Sequence, residues 1–189
     1  MKKDVALDAR KIVRIAFLVT VGLALFVLET AVPRPLPWLR VGLANSATLL
    51  ALFLLGVREA FVVALVRSVL GSFIVGGLFN PSFVFSFFGG LASVSVMAIV
   101  YAYFRGIFSV VGISVWGAFV HNIVQLTMAL FLFVRRWELL FLLPYFVFST
   151  VATGFLTGIL IFFLLKRIAG AEHVRVPFSG AEIEEDQFV

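Results

Sequence analysis

Long apolar runs, broken by short polar punctuation, dominate the chain. They predict six helices over roughly 12–32, 39–57, 59–78, 82–104, 109–133 and 139–165. An α-helix needs about 20 apolar residues to cross a bilayer core, and most of these runs reach that length. The alternating strands of a membrane β-barrel are absent from the pattern. The second run is the shortest, because its uniformly apolar part is only LANSATLLALFLLG. The first run is long and no small-residue cleavage site follows it, so it reads as a first span. Residues 1–11 form a basic, polar lead-in, and 12–168 a single six-helix domain. Residues 169–189 form a polar tail with an acidic EIEED run, expected to be mobile and cytoplasmic.

Composition agrees with this pattern. Of 189 residues 62% are hydrophobic and 13% charged, against about 25% charged for soluble domains. Mean hydropathy is +1.15. The absence of cysteine excludes disulfides, zinc–thiolate sites and thiol nucleophiles. The net charge of +5 is not a sign of nucleic-acid binding, because basic residues in a membrane protein mainly set topology. With six spans and a cytoplasmic N-terminus, the inner face takes Lys2, Lys3, Arg10, Lys11, Arg14, Arg58, Arg105, Lys166, Arg167 and Arg175. The outer face takes Arg34, Arg40, Arg135 and Arg136. That is 10 against 4; if 39–57 did not cross, the count would be 7 against 7. The expectation is six spans, with both termini on the cytoplasmic side of the cell membrane.

Polar groups inside the spans carry the functional expectation, because they are costly there. Arg67 follows the inner start of its helix by about eight residues, some 12 Å deep. Guanidinium suits carboxylate and phosphate through its planar fork of donors. Glu29, the acidic residue inside the apolar runs, offers the alternative of a structural Glu29–Arg67 pair. In the fifth span, His121 and Gln125 are one turn apart and share a face with Gly117 and Ser114, while Asn122 points about 100° away. These three polar residues can equally serve interhelical hydrogen bonding. Asn45 and Ser46 add polar groups in the second span at similar depth. Asn45, Arg67, His121 and Gln125 together predict one cavity open to the outside. The loop VPRPLPW, 32–38, is stiffened by three prolines and is either a lid or a rigid connector. The run GGLFNPSF, 76–83, is either an ordinary turn or a cap over a ligand. Trp38, Phe79 and Phe83 are placed to wall an outer pocket. Gly154 and Gly158 form a GxxxG pair suited to close helix packing, and Ala16, Thr20 and Ala24 make a small-residue strip on the first span. That strip can dock a helix of the same chain or of another.

The catalytic inventory is thin. The spans hold no acidic pair, no aspartate-rich motif for magnesium and diphosphate, and no Walker A sequence. His121 has no acidic orienter beside it in sequence. The chain reads as a binder or carrier, not an enzyme, with no cofactor.

The segments LPWLRVGLANSATLLALFLLG, ALVRSVLGS and GISVWGAFVHNIVQL resemble the membrane family called heptaprenyl diphosphate synthase component I, or Gx transporters. The resemblance spans roughly 12–165, and Arg40, Gly42, Asn45, Arg67, Gly71, His121, Asn122 and Gln125 fall on its characteristic segments. That family looks like a relative of the S components of energy-coupling-factor importers. The resemblance implies an all-α bundle of six transmembrane helices that captures a small anionic or polar ligand from outside. Its partners would be a transmembrane coupling subunit, ATPase subunits and membrane lipid. Arg40, Asn45, Arg67, His121, Asn122 and Gln125 would bind the ligand, and Trp38, Phe79, Asn80 and Pro81 would gate it. Ala16, Thr20 and Ala24 would dock the coupling subunit, with Thr20 departing from an all-alanine strip. The synthase name implies the alternative of an accessory membrane subunit of isoprenoid or quinone synthesis; a third possibility is a solitary carrier.

Overall fold

The computed structural model describes residues 2–31, 42–77, 80–104, 106–135 and 137–169. The expectations for Arg34, Trp38, Arg40, Phe79, Arg105, Arg136 and the tail from 170 onward lie outside the described residues. Among them six α-helices follow in order: α1 (Lys2–Ala31), α2 (Asn45–Leu54), α3 (Val57–Ile74), α4 (Pro81–Phe104), α5 (Val110–Met128) and α6 (Leu143–Ala169). A π-helical segment, Ala129–Val134, prolongs α5, and a 3-10 segment, Trp137–Leu142, leads into α6.

Among the described residues four stretches are long and apolar enough to cross a membrane: Ala9–Glu29, Phe83–Phe104, Val110–Leu132 and Trp137–Ile168. The other two helices differ for separate reasons. α3 has 18 residues and carries Arg58, Glu59 and Arg67. α2 has only 10 residues, about 15 Å of rise against a hydrocarbon core of about 30 Å. It packs against each of the other five helices, and residues 46–52 are all buried. With a buried stretch that meets every other helix, α2 forms the centre of the bundle. The expected second span, 39–57, is therefore helical only over its inner part among the described residues.

Residues 2–11 are not separate from the first span, because α1 begins at Lys2. Lys, Arg, Ala and Leu favour helix, and the apolar helix beyond them supplies the nucleus from which it extends. Lys11 also pairs with Glu59 in the first turn of α3, fixing the two helices at that end.

The run GGLFNP resolves into a helix stop and a helix start. Gly76 takes φ +68°. Its N–H donates to Phe73 O at 3.0 Å, and that of Gly77 to Ser72 O at 2.8 Å. These two bonds form a Schellman C-cap, where only glycine enters the left-handed region without strain. Asn80 and Pro81 then stand as N-cap and first residue of α4, positions that suit asparagine and proline. On the far side of the bundle, the GxxxG pair of α6 meets the backbone of α5. A Cβ on Gly154 would lie 2.8 Å from Val115 Cα, and one on Gly158 2.7 Å from Val111 Cα. The outward surface is apolar, with Phe73, Phe148, Leu156 and Phe163 all exposed, as expected of helices that face lipid.

Candidate functional site

A polar seam runs through the middle of the bundle. Arg67, on α3, is 4% exposed. Its aliphatic stem crosses α1 at Gly22, where a Cβ would lie 2.6 Å from Arg67 Cδ. Any larger residue at 22 would displace the stem. The guanidinium Nη2 donates to Asn45 Oδ1, in the first turn of α2, at 2.9 Å. It also sits beside Gly90 of α4, whose Cβ, if present, would be 3.6 Å away. The Nε–H of Arg67 is buried with no hydrogen-bond partner. The cation thus sits among three helices and hydrogen-bonds a neutral amide.

Ser93 carries the seam across α4. Asn45 Nδ2 approaches Ser93 Oγ at 3.5 Å, long for a hydrogen bond. On its other side, Ser93 Oγ would be 3.1 Å from a Cβ on Gly117 of α5. One turn further along α5, His121 and Gln125 bond to each other, Nε2 to Nε2, at 2.8 Å. The imidazole lies against Gly89 of α4, where a Cβ would be 3.0 Å from Nδ1. Gly89 and Gly90 therefore open α4 on two sides, to His121 and to Arg67. The structure brings Asn45 to Arg67 and His121 to Gln125, with Gly90 of α4 beside the first pair and Gly89 beside the second. Arg67, His121 and Gln125 are buried, His121 at 5% and Gln125 at 0% exposure, and Asn45 is half-buried.

Other site residues go elsewhere. Asn122 turns to α6, donating through Nδ2 to Thr150 Oγ1 at 2.6 Å, with Oδ1 buried and unpartnered. Ser114, expected on the His121 face, meets Thr157 of α6 at 2.9 Å. Asn80 and Pro81 are exposed at the α3–α4 corner. Glu29 makes no ion pair with Arg67 among the described residues. Its carboxylate accepts from the backbone N–H groups of Gly42 and Leu43, securing the turn into α2. Ala16, Thr20 and Ala24 are exposed along α1, and the Thr20 hydroxyl donates to Ala16 O at 2.9 Å. Its polarity is thus satisfied within the helix. No cluster of three His, Asp or Glu side chains fit to hold a metal occurs among the described residues.

Sequence reasoning passed over Gly22, Gly89, Gly90 and Ser93 as members of this site. Each is a small residue in an apolar run, and its role depends on the partner opposite.

The fold is that of a membrane-type helical bundle, with a charged and amide-rich seam buried at its centre. A family model described as heptaprenyl diphosphate synthase component I matches residues 18–164, and the chain belongs to that family. No curated protein and no solved structure matches it.

Proposed function

We propose that this protein is the membrane-embedded ligand-binding subunit of an energy-coupling-factor type importer, taking a small anionic or polar ligand from outside the cell. The observation that carries the reading is Arg67: a cation buried among apolar helices, held by one neutral amide, with its Nε–H unpartnered. Such a group is costly in a membrane unless a ligand uses it. The guanidinium would engage the anionic group of the ligand, with Asn45, His121 and Gln125 supplying directional hydrogen bonds. Entry would require the buried groups of the seam to be uncovered. The Glu29–Leu43 contact and the α3–α4 corner at Asn80 and Pro81 are the elements that would move. The chain would act without catalysis or cofactor, in the plasma membrane, with both termini cytoplasmic. Coupling and ATPase subunits would be supplied by other chains.

The test is Arg67→Ala beside Arg67→Lys, purified in mild detergent. Small molecules released from each are compared with wild type by mass spectrometry. Arg67→Ala should remain folded and lose the retained ligand, and Arg67→Lys should keep part of it. Normal ligand retention in Arg67→Ala would show Arg67 to be structural.

The family's description favours a second reading, an accessory membrane subunit that works with a polyprenyl synthase. It predicts copurification with a soluble prenyl synthase and no dependence on an ATPase module. Affinity purification from the native membrane separates the two.

A further inference from the structure

Away from the seam, a groove of about 760 Å³ lies between α1 and α6, and both helices rest on α2. Val13 and Phe17 of α1, Leu54 of α2 and Leu164 of α6 form its apolar wall, and Arg167 of α6 borders it. An adjoining hollow shares Val13 and adds Arg10. Arg10 and Arg167 are exposed and have no acidic partner among the described residues. Arg14 lines both depressions but has an interaction of its own, and Lys11 is held by Glu59. The groove therefore combines an apolar wall with two guanidiniums that nothing described neutralises.

The chain itself carries a segment of complementary chemistry. α6 ends at Ala169, just after Arg167, and the sequence continues as GAEHVRVPFSGAEIEEDQFV. Residues 182–189 set Glu182, Glu184, Glu185 and Asp186 beside Ile183, Phe188 and Val189. The nearer run VRVPF is also apolar, but it carries Arg175, which the cations at the groove repel. The stretch between Ala169 and Glu182 can extend to about 45 Å. That is several times the length of α1 from Arg10 to Phe17, about 10 Å. Tethering also makes the encounter intramolecular, at an effective concentration on the order of a millimolar. We propose that residues 182–189 dock in this groove, with their carboxylates on Arg10 and Arg167 and Phe188 against Val13, Phe17 and Leu164. The docked segment ties α1 to α6, which are otherwise linked through α2. A phospholipid, with one anionic phosphate and no tether, is the competing occupant. The proposal concerns a surface separate from the Arg67 seam and does not depend on the import reading.

The chain has no cysteine, so paired cysteine substitutions report proximity without background. The full chain is placed in phosphatidylcholine nanodiscs under mild oxidation, and non-reducing gels follow the internally crosslinked monomer. Val13→Cys with Phe188→Cys should form the disulfide severalfold faster than Val13→Cys with Val176→Cys. Chain statistics alone predict the reverse, since position 176 is tethered closer to α6. Glu184→Gln with Glu185→Gln should slow the Phe188→Cys pair about fivefold, the loss expected of exposed ion pairs. Arg10→Gln with Arg167→Gln should slow it to a similar degree. The two glutamates lie beyond α6, so folding of the bundle is not at issue for them; circular dichroism and gel filtration check the arginine variants. Equal or faster crosslinking with Val176→Cys, rates insensitive to both sets of charge changes, or crosslinked dimers in place of monomers would each overturn the proposal. So would loss of the crosslink when phosphatidylglycerol replaces phosphatidylcholine, which would mark the groove as a lipid site.

Discussion

At the scale of single residues, the energetics of the seam turn on one hydrogen bond. Arg67 donates to Asn45 at 2.9 Å, whereas the Asn45–Ser93 contact is 3.5 Å. Neutral interhelical hydrogen bonds in membranes average only about 0.6 kcal/mol. Those to a charged group are worth about 1.5–3 kcal/mol. Asn45→Leu should therefore destabilise the protein by about 2 kcal/mol, and Ser93→Ala by less than about 0.5 kcal/mol. Denaturant unfolding in detergent micelles measures both. Equal effects from the two would mean that Arg67 is held by packing and not by its amide partner. The sequence marked Asn45 and Arg67 as out of place in apolar runs. It could not tell that Glu29 serves the backbone of Gly42 and Leu43, because the separation of two charges across helices has no sequence signature.

Between helices, the closest backbone approach is made at glycines of α6. Where α6 meets α5, the obstacle to a side chain is backbone: Val115 Cα for Gly154 and Val111 Cα for Gly158. Backbone cannot rotate away, so Gly154→Ala and Gly158→Ala should each cost about 1–3 kcal/mol by overpacking. Gly106→Ala, with nothing within 4 Å, should be near neutral on that count. Thermal melts in detergent compare the three, and a stable Gly158→Ala would require α6 to shift away from α5. The GxxxG spacing made this pair legible in sequence. α2 was less legible, since its 10 residues look like a truncated span and only the helices around it explain why residues 46–52 are all buried.

For the whole molecule, orientation and partners are the open questions that experiment decides. Even helix number and the excess of inner positive charge predict reporter fusions at both ends of the chain to be active in the cytoplasm. A fusion inserted between α3 and α4 should be active outside. Opposite results at the two termini would remove one crossing, with α2 the first candidate. The exposed strip of Ala16, Thr20 and Ala24 bears on partners. Ala16→Trp and Ala24→Trp should leave ligand retention intact while abolishing uptake and copurification of an ATPase module. Unchanged copurification would leave that face to lipid.

The sequence by itself determined the helical class, the approximate position of each helix and the polar residues at its core. Each follows from local properties: apolar run length, the Gly-Gly and Asn-Pro signals between α3 and α4, and the cost of polarity in hydrocarbon. The tertiary structure decided which groups meet. In a lipid environment the outer and inner faces of a helix are both apolar, so the hydrophobic pattern carries little information about facing. That is why the enclosure of α2, the turn of Asn122 toward Thr150 and the meeting of Arg67 with Asn45 emerged only from packing.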